Sequence, residues 1–278
     1  MVVLRLACRT PLNIKGKMLG GDKPLICVPL VAKDKEEILR LARDISAHSP
    51  DLIELRIDYW DFLEDVSETI EVISILRREL PSLPFILTCR DHKEGGVKEV
   101  DLRVKEEIYI KAIENRLVDL VDIELSMGVH FIERIKRKAR ENGVFIILSY
   151  HDFNRPLSED EIFAKIFQEV YHGADIAKVG SMPQTYDDVL ALLNATLRAR
   201  KMFPDIPLIT VAMGELGVFT RLVGFAWGSD LTFAMVSEAS APGQVSLPVL
   251  SEVFKVFNSL ALWKGGGREV APSQSIAA

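Results

Sequence analysis

The sequence predicts an α/β fold, a single eightfold β/α (TIM) barrel with a short N-terminal hairpin closing the barrel bottom. Three observations carry this reading: eight short β-branched apolar runs, a helix-length amphipathic segment after them in turn, and ionisable residues on what strand parity makes the inward face. The runs cover 25–31, 52–57, 85–89, 117–124, 144–150, 174–179, 208–212 and 231–235. Between them, Ile38, Leu41, Ala42 and Ile45, or Ile132, Ile135 and Ala139, recur at helical spacing. Val249, Leu250, Val253, Phe254 and Phe257 form the same stripe after the last run. Alternating units of this length imply right-handed crossovers and parallel strands, and eight of them close a barrel. An open doubly wound sheet is the alternative, but it leaves two edges, and no G-x-G-x-x-G turn follows the first strand. Residues before Lys23 lack helical spacing and read as the hairpin, about 1–22. Residues 1–264 thus form one barrel domain, and 265–278, with three consecutive glycines and then Pro272 and Ser273, read as a flexible tail.

Composition narrows the function classes. With 278 residues, 48% hydrophobic and 27% charged, the chain can bury a large core and is neither disordered nor fibrous. The net charge is -6 and the basic residues are dispersed along helices, so no nucleic-acid footprint exists. Apolar runs are strand-sized, far below the roughly 20 residues that span a bilayer, and no secretory signal pattern opens the chain. Cys8, Cys27 and Cys89 are scattered without metal-ligand spacing, which suits buried thiols in a reducing cytoplasm.

The informative residues are charges where a core belongs. Because residues two apart share a strand face, Ile53, Leu55 and Ile57 leave Glu54, Arg56 and Asp58 on the other side. Val121 and Ile123 likewise leave Asp122 and Glu124, and Lys178 shares a face with Ile176. Arg90, His151 and Lys178 end successive strands at the C-terminal mouth, where barrel enzymes place their chemistry. An unpaired buried charge costs several kcal/mol, so this set must pair, bind a ligand, or both.

Lys178 is the candidate nucleophile, since burial among arginines favours the neutral amine, which adds to a ketone to form an imine that acts as an electron sink. His151, on the neighbouring strand, is the candidate acid and base, and Glu94, in the loop after Arg90, can orient it. Arg221 follows the glycine-containing loop 214–217 and suits a carboxylate or a phosphate. Asp122, Glu124 and His151 could hold a divalent cation, but no tight ligand motif supports one.

The runs ELRID (54–58), TCRDHKEGG (88–96), DIEL (122–125), SYHDF (149–153), AKVGSMPQ (177–184), MGELGVFTR (213–221) and SEASAPGQ (237–244) together resemble the type I 3-dehydroquinate dehydratases over about residues 25–260. The resemblance implies a hydro-lyase of the shikimate pathway that turns 3-dehydroquinate into 3-dehydroshikimate and water by syn elimination through a lysine Schiff base. Lys178 would be the imine lysine and His151 the acid and base assisted by Glu94. Arg221 would receive the substrate carboxylate. Glu54, Arg56, Arg90, Ser240 and Gln244 would surround the hydroxyls and ring, with Met213 and Phe233 packing on it. No metal or organic cofactor is implied. The implied partner is the small-molecule substrate, in a cytoplasmic homodimer without nucleic acid or membrane. Val179, Gly180 and Ser181 depart from a more apolar run, and Thr220 stands where serine is commoner. A class I aldolase acting on a phosphorylated substrate and a catalytically silent carboxylate-binding barrel are the competing readings.

Overall fold

The computed structural model describes residues 5–236 and 240–259. Strands β1 (Leu12–Ile14) and β2 (Lys17–Leu19) pair antiparallel as the hairpin. Eight parallel strands follow: β3 (Leu25–Leu30), β4 (Leu52–Arg56), β5 (Phe85–Thr88), β6 (Leu120–Glu124), β7 (Phe145–Asp152), β8 (Ile176–Ser181), β9 (Leu208–Ala212) and β10 (Leu231–Met235). Their ladder runs β10-β3-β4-β5-β6-β7-β8-β9, with the short β11 (Val245–Ser246) added beyond β10. Helices α1 (Lys35–Ala47), α2 (Val66–Glu79), α3 (Leu102–Glu114), α4 (Val129–Asn142), α5 (Glu159–Tyr171), α6 (Tyr186–Met202) and α7 (Val218–Val223) follow β3 to β9 in turn, α8 (Leu247–Ser259) follows β11, and together they coat the curled sheet. Their starts obey capping chemistry: Asp34, Asp65, Ser158 and Thr185 each accept an otherwise unpaired first-turn N–H.

Strand parity works as the sequence requires. Ile53, Leu55, Ile57, Val121 and Ile123 pack outward against Ile38, Leu41, Val72, Ile73 and Ile132 of the helices. Inside, Leu52, Ile86, Leu120, Ile147, Ile176 and Leu231 fill the lower barrel, and Ile14 and Leu19 of the hairpin join them. The hairpin therefore seals the N-terminal mouth with apolar side chains, leaving the opposite mouth to chemistry. The tail expected over 265–278 and the first residues of the hairpin segment lie outside the described residues.

Four aspartates fasten the bottom of the sheet. Asp51, Asp119, Asp175 and Asp230 each stand immediately before an even-numbered strand, and their carboxylates accept the N–H of Ile26, Phe85, Ile146 and Leu208, at the start of the preceding strand. Their own N–H groups return a bond to the carbonyl of the same residue. This exchange explains why the fourth and sixth strands begin at Leu120 and Ile176 rather than at 117 and 174. It also joins β9 to β10, where no regular ladder forms; there Thr210 N–H donates to Ser229 Oγ at 3.1 Å as well.

Asp230 is fully buried between Arg5, whose Nη2 lies 2.5 Å away, and Arg200. Removing the carboxylate charge leaves two buried guanidinium groups facing each other. Asp230→Asn is expected to lower unfolding free energy by about 3–5 kcal/mol in urea titrations; a loss below about 1 kcal/mol would show that the seam does not rely on this cluster.

Candidate active site

Above the aliphatic filling, the alternate strands β4, β6, β8 and β10 contribute Glu54, Asp122, Lys178 and Phe233, and the barrel interior turns from oil to charge within one layer. Lys178 Nζ donates to Asp122 Oδ2 at 2.7 Å, lies 3.5 Å from Glu54 Oε1, and stands 4.6 Å above the Phe233 ring. Sequence reasoning surrounded this amine with arginines; the structure interposes carboxylates. Asp122 also accepts Ser149 Oγ at 2.6 Å and pairs with Arg90 Nη2 at 2.9 Å. Burial opposes its charge, but Arg90 and Lys178 prevail and hold the carboxyl far below the usual range.

The next layer is equally paired. Arg90 Nη1 donates to Glu124 Oε1 at 2.8 Å, and Lys105 Nζ meets Glu124 Oε2 at 2.7 Å. Arg56 grips Asp58 with two bonds of 2.9 Å, so its guanidinium is largely committed. Glu54 accepts Thr88 Oγ1 at 2.9 Å. Asp122 and Glu124, which sequence reasoning weighed as metal ligands, are thus each neutralised by two cations. Among the described residues no three His, Cys, Asp or Glu side chains converge as a metal site.

His151, the penultimate residue of β7, lies beside Gly180 of β8, its partner in the register. A Cβ on Gly180 would stand 2.7 Å from His151 Cδ2, so the departure noted at this position makes room for the imidazole. Burial first, then Arg90 and Lys178, hold the imidazole well below its ordinary value, leaving it a neutral base at pH 7. Glu94 Oε2 accepts the His151 backbone N–H at 2.9 Å and lies 3.4 Å from Nδ1, while Glu94 Oε1 accepts Ser126 Oγ at 2.7 Å. Burial pushes the Glu94 carboxyl up to about 7, restrained by Arg90 and the Ser126 bond. The tight turn that delivers Glu94 needs Gly96, whose added Cβ would fall 2.0 Å from the Arg90 carbonyl oxygen.

On the opposite side Arg221 is buried, and among the described residues it has no carboxylate partner. Its Nη2 donates to Pro242 O at 3.1 Å and its Nε has no acceptor. Burial draws its guanidinium down to about 10, still a cation at neutral pH. The segment bearing Ser240 and Gln244 crosses the mouth: Gln244 Nε2 donates to Ser240 Oγ at 3.0 Å, and Gly214 N–H donates to Pro242 O at 3.1 Å. Residues 237–239, part of the loop considered as a closing element, lie outside the described residues.

All eleven residues singled out from sequence, Glu54, Arg56, Arg90, Glu94, His151, Lys178, Met213, Arg221, Phe233, Ser240 and Gln244, line one cavity of about 530 Å3 including its solvent-open mouth. Gly95, Phe153, Val179, Gly180, Val211 and Ala241 complete it. Sequence reasoning missed Phe153 although it lies in SYHDF, and missed Ser126 because its role depends on a turn after β6 that periodicity does not register. In the buried set, Arg56, Arg90, Lys105, Lys178 and Arg221 stand among Glu54, Asp58, Asp122 and Glu124, with Glu94 beside His151. Among the described residues, Arg221 is the one of these five cations without a carboxylate partner.

The family model of type I 3-dehydroquinase matches residues 26–261. The chain belongs to the type I 3-dehydroquinase family. A 3-dehydroquinate dehydratase of Aromatoleum aromaticum is 40% identical over 254 residues, covering 90% of this chain and 97% of that one. The crystal structure of 3-dehydroquinate dehydratase from Geobacillus kaustophilus superposes with a TM-score of 0.88 at 33% identity, covering 92% and 98% of the two chains. The type I enzyme of Clostridium difficile, solved with covalently modified comenic acid, gives 0.86 at 34% identity over 90% and 98%. The chain is accordingly a type I dehydroquinase, a hydro-lyase of the shikimate pathway on a TIM barrel.

The raised Glu94 pKa has a consequence for stability. A carboxyl near 4.5 in the unfolded chain and about 7 when folded contributes stability that is fully present below pH 4.5 and is lost as pH rises through 7. Glu94→Gln removes this dependence. Its unfolding free energy relative to the parent should therefore rise by about 3 kcal/mol between acid and mildly alkaline pH. A flat difference in paired denaturation series would refute the raised value.

Proposed function

We propose that this enzyme dehydrates 3-dehydroquinate to 3-dehydroshikimate by syn elimination through an imine on Lys178, with His151 moving the protons. The observation that carries the proposal is the convergence on one cavity of a buried amine, an imidazole kept neutral, and a guanidinium that among the described residues has no carboxylate partner. Arg221 suits the substrate's one carboxylate, which its planar guanidinium can bind with two parallel hydrogen bonds. A doubly charged phosphate, as the aldolase reading requires, would meet this one unpaired cation among the described residues.

The Lys178 ammonium first passes a proton to His151, and the free amine adds to the ring ketone. Loss of the carbinolamine hydroxyl as water, protonated by His151, leaves the iminium. This group acidifies the neighbouring carbon, and neutral His151 removes that proton to give an enamine. The enamine expels the adjacent ring hydroxyl, again protonated by His151, and hydrolysis of the conjugated iminium frees product and Lys178. Glu94, held by Ser126, keeps the imidazole oriented and supports its charged form. The lysine supplies the electron sink, so no step calls on a metal or an organic cofactor. The covalently modified comenic acid of the Clostridium difficile relative supports a nucleophile in this pocket.

Two variants test the assignment, read by the enone absorbance of the product. His151→Ala is expected to lower kcat by about two to four orders of magnitude, and undiminished turnover would move the acid/base role elsewhere. Arg221→Ala is expected to lower kcat/KM about a hundredfold. An unchanged KM and kcat there would reject the carboxylate assignment.

A further inference from the structure

Asp122 is fully buried beneath the cavity and does not line it, so it cannot touch a bound ring; its approach to the reaction is through Lys178 Nζ at 2.7 Å. Its position is over-determined. Oδ1 accepts Ser149 Oγ, Oδ2 meets Arg90 and Lys178, and Arg90 is in turn anchored by Glu124, which Lys105 and the Asp91 N–H hold. A carboxylate pinned in this manner is more than a means of neutralising a resting lysine, because an aliphatic pair at these positions would fill the space without desolvating two charges.

We propose that Asp122 is the fixed counter-ion of the Lys178 iminium, the group that keeps the imine protonated and so keeps it an electron sink. The inference rests on the imine reading given above. Ammonium plus ketone gives iminium plus water: nitrogen gains two bonds to the carbonyl carbon, and two of its protons leave with the ketone oxygen. Nitrogen bears one positive charge before and after, and Asp122 faces it in both states without reorganisation. The charge disappears in the free amine, in the neutral carbinolamine and in the enamine, where the proton resides on His151. When the enamine expels hydroxide, positive charge redevelops on nitrogen beside a carboxylate already in place, which lowers that barrier. The neighbouring Arg90 charge and the Lys178 nitrogen itself make Asp122 too weak a base to strip the iminium proton. The ionisable groups facing the pair are Cys27 on β3, whose thiol burial pushes up, Glu54 on β4, Arg90 after β5, Glu124 on β6 and His151 on β7. Behind the sheet stand Tyr109 on α3 and Glu169 on α5.

The test uses cyanoborohydride, which reduces iminium but not neutral imine, with 3-dehydroquinate and detection of the adduct by intact mass. In the parent enzyme the trapping rate should stay level between neutrality and about pH 9, because the counter-ion retains the proton. In Asp122→Asn it should fall with rising pH over that interval, with kcat down about a hundredfold and KM changed far less. Asp122→Glu, which restores the charge, should recover part of both. A trapping rate that declines toward pH 9 in the parent would overturn the proposal even if the asparagine variant does not fold. A folded Asp122→Asn protein with the parent's pH profile and kcat would overturn it as well. Absence of any adduct in the parent would instead be a failure of the imine reading itself.

Discussion

Charge neutrality in the barrel mouth is the constraint on which the rest of this structure depends. Glu54, Asp122, Lys178, Arg90 and Glu124 are buried or nearly so, and each of these charges lies beside an opposite one. Asp122 lies at the centre of this arrangement, binding Lys178, Arg90 and Ser149. Among the described residues the pairing leaves Arg221 without a carboxylate partner. The buried ions thus set the Lys178 amine on a fixed anion, keep the His151 imidazole neutral and leave one guanidinium open toward the cavity.

The bottom of the barrel makes this arrangement possible. Four aspartates exchange hydrogen bonds with the strand before them, the hairpin supplies Ile14 and Leu19, and Arg5, Asp230 and Arg200 close the seam between β9 and β10. These contacts hold the strand register rigidly, and register alone decides that Lys178 faces Asp122 and that His151 faces Gly180. The segments above then carry Glu94 in the turn after β5, Arg221 on α7 and Gln244 just before β11.

Much of this was legible in the sequence because it rests on periodicity. Alternation across 53–57 and 121–124 identifies the inward charges, and eight apolar runs identify the barrel, independently of any relative. The cavity residues were legible through the motifs and the family resemblance. What periodicity does not register is partnership. Lys178 was expected among like charges, whereas its neighbours are Asp122 and Glu54, because the side chains that meet come from alternate strands far apart in sequence. Ser126 stayed hidden for the same reason, since its partner Glu94 lies in a different loop. The four strand-start aspartates do carry a signal, an Asp followed by Leu or Ile at the head of every second run, but its meaning depends on side chains bonding across to another strand.

The most direct measurement is intact mass and peptide mapping after incubation with 3-dehydroquinate and borohydride, on the parent and on Lys178→Ala. The account predicts a ligand-sized mass increase in the parent, mapped to the peptide containing Lys178, and none in the folded alanine variant. An adduct on another lysine, or turnover without any trappable adduct, would contradict it.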